Sequence, residues 1–143
     1  MTAEQPQRPI DLLTPAGRQA VLDQIEADHQ TVLAFHQQLE ALAERFEANV
    51  HEVDWSRDVA PVSTAALDHI LTAIDYANTV QRRLLDLDLD LEGAGGIGDE
   101  LDAEFTRIHT ARRSVERDEM QLSTLTSRLG ERYRAALTDQ FFT

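Results

Sequence analysis

The chain contains neither cysteine nor lysine. Without cysteine there is no disulfide, no thiolate nucleophile, no zinc finger and no cysteine-held iron–sulfur cluster. Long apolar runs are also missing, so no segment suits a membrane span, and the N-terminus has neither the basic nor the apolar region of a signal peptide. These absences predict a cytoplasmic or virion location. No Gly-x-Ser-x-Gly elbow occurs, and no glycine-rich phosphate cradle is followed by lysine, so nucleophilic hydrolysis and nucleotide chemistry have no footing. The six glycines are unevenly spent: four fall within residues 93–98.

What is present is acid. Against 26 Asp and Glu stand 13 basic residues, all of them Arg, for a net charge of −13 over 143 residues. Such a surface repels phosphates, which argues against nucleic acid. It resembles the surfaces of halophile proteins, whose self-repulsion is screened in molar salt. The charge is uneven along the chain: −7 for residues 1–60, −6 for 61–100 and zero for 101–143. The Arg-rich last third therefore supplies the positive charge that pairs with the other two.

Apolar residues recur at helical spacing in three long segments. The middle one is the most regular, with Ala66, Ile70, Ala73, Ala77, Val80, Leu84, Leu87 and Leu91 forming an unbroken seam. Leu67, Leu71, Ile74 and Leu85 lie beside it and predict a face touched from two sides. Leu85 to Glu92 alternates with a period of two, but no second strand exists to pair with it, so it reads as helix end. Ahead of this segment, Ile25, Val32, Leu39, Phe46 and Val53 recur every seven residues, interrupted by Asp28 and Asn49. After it come Leu101, Ile108, Val115, Leu122, Leu129 and Ala136. Thr14 caps the first helix with Pro15 at its first position. Ser63 or Thr64 caps the second and Asp99 the third, while Gly130 stops or bends the last. The sequence thus predicts an all-α fold. It is an up-down-up three-helix bundle of heptad-patterned helices at about 15–52, 62–91 and 99–129, with a short C-terminal helical extension at 131–141. Residues 1–13, stiffened by Pro6 and Pro9, form an extended arm, and 14–143 form the bundle domain.

Two constellations have the residue types for metal binding. Glu26 and His29 form a Glu-x-x-His pair on one helix face and His36 follows two turns on. With Glu104 and His109 placed level with them on the third helix, they compose a candidate site for iron or another transition metal. A ferritin-like di-iron centre needs a second Glu-x-x-His, which the sequence lacks, and the five histidines do not have hemerythrin spacing. The second constellation is Asp88, Asp90, Glu92, Gly93 and Asp99. This segment resembles an EF-hand calcium loop in its spacing. It departs from one in having Leu at positions two and four, Glu at five, Gly95 at eight and Asp at twelve.

Taken together, the long helices, the apolar arm residues Ile10, Leu12 and Leu13, and the Phe141–Phe142 pair predict a non-enzymatic assembly or adaptor component. It requires no cofactor and has a protein partner or a second copy of itself, in a halophile or its virus. A metal-binding bundle with an oxidase, carrier or sensing role is the alternative.

Overall fold

Thr14 starts the first helix as its sequence predicts. Its hydroxyl accepts from the Gly17 amide at 3.0 Å, and Pro15 fills the first position, where a missing amide costs nothing. The computed structural model describes residues 12–92 and 98–142, with side chains described for 12–87 and 102–141. Three long helices account for most of them: α1 (Pro15–Ala48), α2 (Ala60–Glu92) and α3 (Gly98–Phe142). Each packs against the other two, and there is no strand among the described residues. Leu85 to Glu92 is helical to its end.

Two boundaries differ from those the sequence predicts. The first helix stops at Ala48 rather than Glu52, because Asn49 turns extended (φ −155°, ψ 104°). Its side chain accepts from the His51 amide at 3.1 Å and so starts a 3₁₀ turn at Val50–Glu52. A π-helical turn at Trp55–Val59 follows and runs directly into α2. Asp54 caps that turn, accepting from the Arg57 amide at 2.9 Å. The cap expected at Ser63 or Thr64 is therefore not needed, and the Ser63 hydroxyl instead meets that of Thr126 at 3.1 Å. The second difference is Gly130, where α3 continues without a break. A lone helical glycine costs only about 1 kcal/mol, and here Leu129 is fully buried while Tyr133 packs on Phe46 and Trp55 at 5.2 and 5.5 Å. That packing outweighs the glycine, and no separate helix forms at 131–141.

The core holds Val21, Ile25, Val32, Leu39 and Phe46 of α1, Ala66, Ile70, Ala73, Ala77, Val80 and Leu84 of α2, and Ile108, Val115, Leu122 and Leu129 of α3. Val50, Val53 and Val59 are buried as well, so the connection is not a bare turn. It covers the end of α1, and Tyr133 Oη donates to the Val53 carbonyl at 3.3 Å. Leu12 is 6% exposed and belongs to this core, with its carbonyl accepting from Arg18 Nη1 at 3.0 Å. The sequence places it on a partner-binding arm; here it is buried against its own helices. Residues 1–11, the bulk of the predicted arm, lie outside the described residues.

The leucines flanking the α2 seam turn outward. Leu67, Leu71 and Leu85 are 39%, 48% and 50% exposed, whereas Ile70 and Ala77 between them are fully buried. The fourth flanking residue, Ile74, is half-buried and packs against the core. The two neighbouring helices fill the seam itself and leave the wider face uncovered.

Candidate functional site

Asp28 on α1 and Asp118 on α3 occupy positions where the helical pattern wants an apolar side chain, and both are 2% exposed. A carboxylate removed from water needs a compensating partner. Each finds a histidine on a different helix. His29 Nδ1 lies 2.6 Å from Asp118 Oδ2, joining α1 to α3. His69 Nε2 lies 3.2 Å from Asp28 Oδ1, joining α2 to α1. The second contact is at ion-pair distance without the alignment of a hydrogen bond, and Asp28 also accepts from Gln24 Nε2 at 3.2 Å. The His69 ring packs tilted against Phe35, with centroids 6.4 Å apart.

His36 completes this belt, two turns along α1 from His29. Its Nε2 is buried and has no hydrogen-bond partner among the described residues. Burial pushes the imidazole pKa below its ordinary 6.5; Asp118 and Glu40 pull it back up, and His29 adds to the depression. The belt thus carries three histidines and two buried carboxylates across all three helices.

A second polar layer lies between α2 and α3. Arg112 Nη1 donates to Gln81 Oε1 at 2.7 Å and to Asn78 Oδ1 at 3.0 Å, and its Nε donates to Glu116 Oε1 at 3.1 Å. Gln81 Nε2 lies 3.2 Å from His109 Nδ1. Arg132 spans α3 and α1, donating through Nε to Glu47 and through Nη1 to Glu40. Its hydrogen bond holds the Glu47 carboxyl below the usual range.

The five residues predicted to share a metal are not brought together. His29 and His36 lie in the belt, but His109 belongs to the second layer. Glu104 pairs with Arg107 at 3.3 Å, and Glu26 accepts from Gln30 on the exposed side of α1. The reason is registry. Placing His109 level with His36 implies an α1-to-α3 offset of 73 residues, whereas the His29–Asp118 pair is 89 apart. The difference of 16 residues is about four helical turns, and it arises because residues 49–59 cover the end of α1 rather than merely reversing the chain. Among the described residues no three His, Asp or Glu side chains are arranged to hold a metal ion. The calcium candidates fall at helix ends: Asp88, Asp90 and Glu92 in the last turns of α2 and Asp99 in the first turn of α3. Their side chains lie outside the described residues.

Of the predicted contact residues, Leu13 is 70% and Phe141 84% exposed. Ile10 and the Phe142 side chain lie outside the described residues. Two open grooves run between α2 and α3. One, of about 460 Å³, is lined by Trp55, Ser63, Leu67, Leu122 and Gly130 among others. The other, of about 520 Å³, is lined by Asp75, Leu85, Phe105 and His109 among others. Asp118 and the pairing of His69 have one signal in the sequence, a carboxylate at a seam position, as at Asp28.

No family model matches the chain, and no curated protein or solved structure is similar to it.

Proposed function

We propose that the chain is a non-enzymatic assembly or adaptor component whose uncovered α2–α3 face is occupied by another protein chain. The observation that carries this reading is the outward row of Leu67, Leu71 and Leu85 on α2, each about 40–50% exposed and beside two grooves. Leu67 and Leu85 are 18 residues apart, which is five full helical turns, so they lie on one side of α2, one at each groove, with the Arg112–Gln81–Asn78 layer between them. Covering the exposed halves of these leucines is worth roughly 1 kcal/mol each. Association costs at least about 4 kcal/mol, so the ridge alone does not suffice. The grooves, Leu13 and the Leu137–Phe141 stripe at the end of α3 supply the remainder.

In this reading the bundle is up-down-up with heptad-spaced seams. The order of the polar contacts supports it: Gln19 with Arg107, His29 with Asp118 and Glu40 with Arg132 rise in step, while Ser63 with Thr126 and Gln81 with His109 run oppositely. The acidic surface suits a salt-rich interior, in a halophile or its virus.

Light scattering in molar and low salt tests the proposal, combined with affinity capture by wild type and by a Leu67→Glu/Leu71→Glu variant. A mass above 16.1 kDa, or a defined partner held by wild type and lost by the variant, is the expected result. A strict monomer that retains nothing overturns it.

A further inference from the structure

We infer that the histidine–aspartate belt is an acid-sensitive latch, in which protonation of His36 loosens the seam between α1 and α3. The geometry sets up a mismatch. His29 is matched to Asp118 at 2.6 Å and His69 to Asp28 at 3.2 Å, and both carboxylates are nearly inaccessible to solvent. Each of these two rings therefore sits against a buried carboxylate of its own. The third histidine has no buried carboxylate of its own. From α1 it is faced by His29 and Glu40, and from α3 by Asp118; the α2 member of the belt, His69, faces Asp28 and Phe35 instead. Asp118 is already engaged by His29, and Glu40 is half exposed and bonded to Arg132. A cation on His36 would therefore present a buried Nε2–H with no acceptor, next to a second histidine competing for the same carboxylate.

The sign follows from the direction of the shift. Burial lowers the folded-state pKa of His36 below 6.5, so the folded chain binds fewer protons there than the unfolded chain. The stability this group contributes is complete above the unfolded value. It is lost as pH falls through 6.5 toward the lowered folded value.

Thermal unfolding of the full chain at pH 7.5 and pH 5.0 tests the latch, comparing wild type with His36→Leu in chelator and with added zinc. Wild type is expected to lose roughly 3 °C more than the variant over this interval, and zinc is expected to change neither. Equal losses in the two proteins overturn the latch. So does a zinc-dependent rise in wild type that the variant lacks, since the belt would then be taking a metal rather than a proton. Proton–carbon NMR of the imidazoles in wild type gives a readout independent of any substitution. The His36 ring should titrate below 6.5, with amide exchange rising around residues 29–36 as it does; titration at or above 6.5 rejects the proposal.

Discussion

Asp118 illustrates how a single polar side chain can be tied to a helix packing. Its carboxylate is held by His29 across the α1–α3 seam at 2.6 Å, so removing it takes the partner from a part-buried imidazole and empties a buried position. Asp118→Ala should lose about 1–3 kcal/mol, the cost of stranding a buried polar group, measurable as a lower urea midpoint with unchanged slope. The neighbouring pair Ile70 and Leu71 makes a sharper comparison, because the two residues are adjacent in sequence and opposite in environment. Ile70 is fully buried and Leu71 48% exposed. Ile70→Ala should therefore cost about 2–5 kcal/mol, and Leu71→Ala about 0.5 kcal/mol or less in the isolated chain. Comparable losses at the two positions would mean that the ridge faces the core. The sequence showed that Asp28 interrupts an apolar stripe. It did not reveal which residue answers that charge, because the answer lies on another helix and depends on registry.

Helix boundaries follow from local chemistry where a cap is strong and from packing where it is not. Thr14–Pro15 was legible because both signals act within one turn. The end of α1 was not, since Phe46 to Val53 keeps a seven-residue spacing through the break that Asn49 makes. Val50, Val53 and Val59 remain apolar because their turns bury them over the helix end, which mimics a helix that continues. Gly130 misled in the other direction. A Cβ at this position would meet Trp55 Cη2 at 3.8 Å and Arg134 Nη2 at 3.9 Å, which is ordinary contact. Gly130→Ala should accordingly stabilise α3 by about 0.5–1 kcal/mol, read as a higher melting temperature; a loss of stability would show that α3 needs the glycine's backbone freedom.

Across the whole molecule, the helical class and the seam residues were legible because a 3.6-residue apolar period survives in all three segments. The candidate site was legible only in part. His29 and His36 were found on one face, yet their partner came from a registry four turns away from the one that counting loop lengths suggests. Charge also acts at this scale. With a net −13, raising KCl from about 0.1 M to 1 M shortens the screening length from about 10 to 3 Å, and the melting temperature should rise; a fall would count against an adaptation to salt. The central claim is that the ridge through Leu71 is covered by another chain where the protein works. The absence of cysteine makes it directly measurable, through maleimide labelling of Leu71→Cys and, as a control on the exposed side of α1, Ala27→Cys. In lysate of the source cells Leu71→Cys should label much more slowly than Ala27→Cys, and the two rates should converge once the chain is purified and diluted until it is monomeric. Equal rates in the lysate would contradict the claim.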